Sequence, residues 1–433
     1  MITQPSPSAL ARALRQGAMS SFGVRALSMG SVFALHWLLA RWMVPSEYGT
    51  YCYALTVVPL LATLANLGLP HAAVRLVPEY MALGERGLLK GFVRTSWYLV
   101  IGTSLLVTLC LLPLSWLGVG GDLRTSLTFA LPMLFGFACI HLLQSFLRAL
   151  KRIAASQLPE QCVVPLVLIA AAIAFHFSGI AITGSRVLFV HATTLAVIGI
   201  SVSLLVAKLM RPQTKDVDPE YKVRDWLSLS VPLAFSSGIW ILLTRLDILL
   251  IGVTLGTAPV ALYAIPQKLA ALLYLGMTAL DSILSPMLAE HHAKGDQRDI
   301  QRLVTTTANW TLLVTLPVLA SFAVFGEFFL SLFGPEYRGS ALVLRLLIVG
   351  QLATLLAGPV DSVLTMTGHH KAYARILATT GVGTLALMPI GIHYGGIEGA
   401  ACVASVSLIV WKTWLAHFAY VHLGVKSWAL ART

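Results

Sequence analysis

Charged residues are scarce in this 433-residue chain: Asp, Glu, Lys and Arg make up 11% of it, less than half the roughly 25% of a soluble globular domain. A water-soluble fold is thereby excluded, because 57% hydrophobic residues and a mean hydropathy of +0.81 leave too little polar surface to cover the rest. Cysteine is also scarce. The five, Cys52, Cys110, Cys139, Cys162 and Cys402, show neither CxxC nor Cys/His spacing, so no metal site or disulfide framework is expected and the thiols read as apolar filling. The absence of a G-x-x-x-x-G-K-[ST] phosphate loop disfavours an ATP-driven flippase. No long polar segment is present to fold as a catalytic domain, and nothing in the sequence calls for a cofactor. No small-residue cleavage site closes the apolar stretch that begins near Ala26, so the opening residues are not expected to be a signal peptide. Leu10 and Leu14 opposite Arg12 and Arg15 suggest a short amphipathic segment there instead.

What the chain does contain is a series of apolar runs of about 20 residues, the length that crosses a bilayer core. They lie at about 22–44, 51–77, 93–114, 125–147, 158–177, 187–208, 229–254, 261–288, 303–325, 341–366, 373–393 and 399–422, with ends good to a few residues. None alternates with period two, so the spans are helices rather than barrel strands. The expected fold is all-α and membrane-integral, with about 12 transmembrane helices.

Formal charge is +12, and its placement points away from nucleic acid and toward topology. Of the 30 basic residues, 20 fall in one set of alternate loops, among them Arg86, Lys90, Arg94, Lys208 and Arg211, and five in the other: Arg41, Arg124, Arg186, Arg338 and Arg345. By the positive-inside rule the first set, with both termini, lies in the cytoplasm. Tryptophan and tyrosine cluster near the expected span ends, as interfacial belts do.

The longest polar connection, around 210–228, separates six spans from six. The expected domains are 1–209, a six-helix bundle with the short amphipathic segment; 210–228, a cytoplasmic linker; and 229–433, a second six-helix bundle. VPEYMALGERG at 77–87 aligns without gaps on LAEHHAKGDQR at 288–298, and FHFSGI at 175–180 on IHYGGI at 392–397, so the halves read as a parallel repeat around a central cavity.

Subtracting both loop sets from the 30 basic residues leaves five at membrane depth: Arg25, Arg75, Arg245, Lys268 and Lys412. Each costs about 2.5–3.5 kcal/mol to insert at the bilayer centre, so a watery cavity, a partner or a substrate is expected at each. Interhelical ion pairing is the competing explanation, and Arg25 and Arg75 lie near enough to span ends to reach the headgroups. Embedded acids are fewer, Asp247, Asp281 and Asp361 being the clear ones. His36 and His71 join them as candidates for ion coupling or as cavity partners. A basic excess facing a cavity favours an anion, to which arginine offers forked donors and lysine a mobile charge.

LLARWMVPSEYGTYCYALTVVPLLATLANLGLPHAAVR in the first two spans, then TRLDILLIG, VALYAIPQKLA, LFGPEYRGSALVLRLL and GGIEGAACVAS, resemble the Wzx-type polysaccharide or O-antigen flippases. These form the polysaccharide transporter family of the multidrug/oligosaccharidyl-lipid/polysaccharide exporter superfamily. The resemblance covers nearly the whole chain. It implies a non-enzymatic flippase that moves an undecaprenyl-pyrophosphate-linked oligosaccharide from the inner to the outer leaflet of the bacterial cytoplasmic membrane by alternating access, for polysaccharide biosynthesis. Its partners would be the lipid-linked oligosaccharide, membrane lipids, and a polysaccharide polymerase with its chain-length machinery. Arg25 and Arg245 are the cavity arginines that the resemblance carries over. A cation-coupled multidrug exporter of the same superfamily is the alternative. A membrane polysaccharide polymerase or ligase is disfavoured because no long outer loop is present.

Overall fold

The computed structural model describes residues 27–114, 121–294 and 296–429. Among them regular structure is entirely helical, as lipid demands of segments that must satisfy their own backbone groups. Among the described residues nine helices are long and apolar enough to cross a membrane, and the protein is a multi-pass membrane protein. One of the nine, His370–Leu423, has 54 residues. At 1.5 Å per residue it would be about 80 Å long, far beyond a core of about 30 Å. It reverses at Gly396 (φ 54°, ψ −135°) and so holds both expected spans, 373–393 and 399–422. The expected N-terminal amphipathic segment and Arg25 lie outside the described residues.

The chain forms two compact units, Met1–Leu242 and Leu243–Thr433. In the first, α1 (27–42) leads to α2 (Pro45–Ala65), α3 (Leu69–Leu83), α4 (Arg86–Leu114), α5 (Gly121–Ala149) and α6 (Ile153–Leu158). A π-helical turn, Pro159–Val163, joins α6 to α7 (Val164–Phe177), and α8 (Gly184–Thr214) and the first part of α9 (Val223–Leu255) follow. At the middle of the unit is α5, which packs on α2, α3, α4 and α8. Its Leu134, Ala138, Leu142 and Phe146 recur every four residues and are fully buried, one continuous stripe of a 3.6-residue helix. Between helices in lipid the driving terms are close packing and polar bonds rather than exclusion of water.

One such bond explains part of the Glu-Tyr-Gly-x-Tyr turn. Glu47, in the first turn of α2, accepts the Gly184 N–H at the start of α8 with its Oε2 at 2.6 Å. Tyr48 hydroxyl and His36 Nδ1 are 3.1 Å apart, and Tyr51 hydroxyl and His191 Nδ1 3.5 Å. One short motif therefore ties α2 to α1 and α8.

The second unit holds the rest of α9 and α10 (Thr257–Leu272), α11 (Leu275–Lys294), α12 (Gln297–Val324), α13 (Gly326–Ser331), a 3-10 turn (Pro335–Ser340), α14 (Ala341–Ala357), α15 (Val360–Met366) and α16 (His370–Leu423). Here α14 is central, against α10, α12 and α16, with Leu344, Ile348 and Leu355 buried on its inner face. Ser405 of α16 donates its hydroxyl to the Leu346 carbonyl at 2.6 Å.

Three expected spans are each broken into two helices. The run 51–77 stops at Asn66 and restarts at Leu69, with Leu67 and Gly68 at φ 49° and 72° and Pro70 at the start of α3. The run 261–288 breaks between Leu272 and Leu275, and the run 341–366 between Ala357 and Val360, with Gly358 at φ 67°. Hydropathy passes over these breaks because the residues around them are apolar. The aligned segments of the two halves also take matching structures. VPEYMALGERG and LAEHHAKGDQR each span the end of one helix and the start of the next, and each contributes to an i,i+4 ion pair, Arg75 with Glu79 and Glu290 with Lys294. Gly179 and Gly396, matched in the second alignment, both have positive φ, 68° and 54°, where a side chain would be strained.

The stretch 210–228, expected as a linker, is helical at both ends, and its middle is held to α4. Glu220 N–H donates to the Gly87 carbonyl at 3.0 Å and Lys90 Nζ to the Val217 carbonyl at 2.8 Å. The two compact units are divided within α9, between Leu242 and Leu243.

Candidate functional site

The α2–α3 break opens one wall of a cavity of about 510 Å³ in the first unit. Asn66, Gly68 and His71 come from the break and the first turn of α3, Ser236, Ser237 and Trp240 from α9, and His141, Gln144 and Arg148 from α5. The α5 residues are spaced by three and four, which sets them on one face of the helix. That polar stripe is readable in the sequence, although Arg148 counts there as a loop cation. Gly68 lets the wall form: a Cβ on it would stand 2.0 Å from the Ser230 carbonyl oxygen and 2.8 Å from the Ala234 nitrogen, so α9 lies on the α3 backbone without an intervening side chain. His71 Nε2 and Ser237 Oγ are 3.0 Å apart across that contact.

Among the described residues no carboxylate lines the cavity, but one stands behind it. Glu160, on the π-helical turn, accepts from Gln144 Nε2 at 2.6 Å, and its other oxygen is 3.7 Å from His141 Nε2. The extra residue of a π turn re-aims side chains and is frequent at functional sites. Sequence reasoning missed Glu160, because Pro-Glu-Gln at the head of a span reads as loop and its partners lie on another helix. The cavity thus presents one guanidinium, two imidazoles, amides, hydroxyls and an indole. Such a set suits an anionic, hydroxyl-rich ligand with an apolar ring face.

In the second unit the embedded charges are grouped otherwise. Asp247 is buried, at 8% exposure, and receives three donors: Ile248 N–H at 2.8 Å, Tyr263 hydroxyl at 2.9 Å and Gln267 Nε2 at 2.6 Å. Three donors satisfy a buried carboxylate. Arg245, two residues earlier on α9, is exposed, and Lys268 is half-buried on α10 beside Gln267. Lys412, 2% exposed, is bonded through Nζ to Asp361 Oδ2 and lies 4.5 Å from the Trp411 ring centroid. Asp281 joins this cluster by accepting from Ser362 Oγ at 3.3 Å. In the first unit, His36 is buried against Tyr48, His71 lines the cavity, and Arg75 is exposed and 3.9 Å from Glu79 on its own helix. The only close group of metal-ligand types among the described residues is His291, Asp296 and Asp299, with ligating atoms within 4.8 Å of one another. There Asp296 accepts the Asp299 N–H at 3.2 Å as the cap of α12.

A polytopic helical fold with polar side chains gathered within its spans and around a cavity is the architecture of a membrane transporter. The chain belongs to a family described as polysaccharide biosynthesis proteins, whose model matches residues 14–292, the family the sequence motifs suggested; a second model, MatE, matches residues 232–390. A probable low-salt glycan biosynthesis flippase, Agl15, of Haloferax volcanii is 23% identical over 182 residues, covering 42% of this chain and 39% of that protein. The match thus spans well under half of the relative's length. Two solved structures share the fold. A multidrug resistance MATE family transporter of the MOP superfamily superposes with a TM-score of 0.75 at 12% identity, covering 92% of this chain and 94% of the other. The lipid II flippase MurJ gives 0.70 at 12% identity, over 93% and 87%.

Proposed function

We propose that this protein is a flippase for a lipid-linked oligosaccharide, carrying an undecaprenyl-pyrophosphate headgroup and its glycan from the cytoplasmic to the outer leaflet of a bacterial inner membrane, with both termini cytoplasmic. The observation that carries this reading is the cavity of the first unit, where Arg148, His71 and His141 stand among amide and hydroxyl groups with no lining carboxylate. A pyrophosphate cannot enter hydrocarbon without losing its hydration, and fixed donors must replace that water. Arg148 supplies forked donors to phosphate oxygens. Asn66, Gln144, Ser236 and Ser237 supply the mixed donors and acceptors that sugar hydroxyls need, and Trp240 offers a flat apolar face. The prenyl chain needs no site, because it stays in lipid. Membership of the polysaccharide biosynthesis family and likeness to the probable glycan biosynthesis flippase of Haloferax support a glycan cargo. In this reading Arg25 and Arg245 also act on the headgroup during transport, and translocation proceeds by alternating access without covalent chemistry.

The test is Arg148→Ala at wild-type membrane abundance in a strain lacking the native copy. The expected result is loss of the surface glycan with build-up of its lipid-linked precursor on the cytoplasmic side. Normal glycan display by this variant would overturn the assignment of the cavity.

The alternative, a cation-coupled multidrug exporter, draws on the shared fold with a multidrug transporter and on the cluster of Asp361, buried Lys412 and Asp281. Drug efflux by the wild-type chain in a pump-deficient host, with no effect on glycan display, would favour it.

A further inference from the structure

A second cavity, of about 820 Å³, lies between the start of α4 and the end of α8, and four of its lining residues are basic and none acidic. We propose that it is a binding site for a resident anionic phospholipid of the surrounding membrane. On α4, Lys90, Arg94 and Trp97 are spaced by four and three; on α8, Leu204, Lys208 and Arg211 are spaced by four and three as well. Each set therefore makes a stripe down one helix face, and the two stripes line one cleft.

The order along the stripes matches an amphiphile. The cations Lys90 and Arg94 lie in the opening turns of α4, and Trp97 follows about one turn further into the span. On α8 the direction is reversed, with Lys208 and Arg211 in the closing turns and Leu204 about one turn deeper. The cleft thus has a cationic rim for a phosphate, an indole at the depth of the glycerol, and an apolar floor for the first acyl carbons, the preferences each group shows at a bilayer interface. The rim is also preset. Lys90 Nζ is fixed by the Val217 carbonyl at 2.8 Å, and Arg94 by Tyr98, whose hydroxyl accepts from Nε at 3.3 Å and whose ring centroid is 5.6 Å from the guanidinium carbon. All four cations belong to the loop set that the charge bias assigns to the cytoplasmic side. A soluble polyanion would leave the indole and the leucine unpartnered, whereas a phospholipid engages both parts at once.

The test uses the full chain in phosphatidylcholine nanodiscs doped with phosphatidylglycerol brominated on its acyl chains. Trp97 is one of ten tryptophans, so its signal is the difference between wild type and Trp97→Phe. Brominated phosphatidylglycerol is expected to quench it at mole fractions where brominated phosphatidylcholine does not. Lys208→Gln with Arg211→Gln should raise the half-saturating fraction about 25-fold, at about fivefold per charge removed, while Lys208→Arg leaves it in place. Equal quenching by the two lipids, or an unshifted midpoint in the double variant, overturns the proposal. So does displacement of the brominated lipid by stoichiometric undecaprenyl pyrophosphate in preference to phosphatidylglycerol, which would make the cleft a stop for the cargo. Should the double variant fail to fold, the salt dependence of the wild type decides: a midpoint that rises with potassium chloride supports the site, and one that does not move overturns it.

Discussion

Trp226 donates its indole N–H to the hydroxyl of Tyr80 at 2.8 Å, joining the first turn of α9 to the last turns of α3. The indole is 2% exposed and meets Phe92 edge-on, with ring centroids 5.4 Å apart. Trp226→Phe keeps most of the ring contact and leaves the Tyr80 hydroxyl without its donor, which is expected to cost about 1 kcal/mol. Tyr80→Phe should cost a similar amount, and the double variant little more than either single one, because the two changes remove one bond. Thermal unfolding of the purified variants measures this. Strict additivity would show that the hydroxyl and the indole act separately.

Gly68 carries two constraints together, a φ of 72° and the Ser230 carbonyl oxygen at the place of a Cβ. Alanine in the left-handed region costs about 1–2 kcal/mol, and forcing α9 off α3 adds about 1–3 kcal/mol. Gly68→Ala should therefore unfold at clearly lower temperature than wild type, while Gly102→Ala on α4, with nothing within 4 Å of the added atom, unfolds at or above it. Equal stability of the two variants would mean that the close approach is not rigid. Because Gly68 and Ser237 both line the cavity, glycan display is expected to fall with Gly68→Ala.

Much of this fold was legible in the sequence, and the reasons separate what was from what was not. The spans declared themselves because lipid selects long apolar runs. The break at Asn66–Gly68 did not, because leucines on both sides keep hydropathy high and only Gly68 and Pro70 mark it locally. The halves were visible through short matches whose meaning is structural, the positive-φ glycines at 179 and 396 above all. Charges at membrane depth were visible one by one, but their pairings were not. Asp361 and Lys412 are 51 residues apart, and Glu160 meets Gln144 and His141 on another helix, distances that no spacing rule covers. The cavity of the first unit was half legible, as the His141–Gln144–Arg148 stripe, and its other walls depend on tertiary packing.

Lys412 tests whether an embedded cation serves the fold or the cargo. Its buried amine is held by Asp361, so Lys412→Met strands a carboxylate and should destabilise by about 3–5 kcal/mol. Adding Asp361→Leu removes the stranded charge and is expected to restore much of the stability, since an apolar pair of similar size often replaces a buried ion pair without loss. Thermal unfolding reports the first effect and glycan display the second. Recovery of both in the double variant assigns the pair to structure; recovery of stability with export still lost assigns Lys412 to the transport path.

Arg245 separates charge from geometry. It is exposed on α9, two residues from an Asp247 whose carboxylate is already supplied with donors, so removing it should leave stability within about 0.5 kcal/mol of wild type. If it guides a pyrophosphate, Arg245→Ala abolishes glycan display while the protein stays abundant and folded. Arg245→Lys keeps the charge and loses the planar fork. Partial display in that variant would mean that a point charge suffices, as expected for a residue that passes the headgroup along; complete loss would mean that two parallel bonds to phosphate oxygens are required. Unchanged display in both variants would remove Arg245 from the path and leave Arg148, on α5, as the arginine on which the proposed cargo depends.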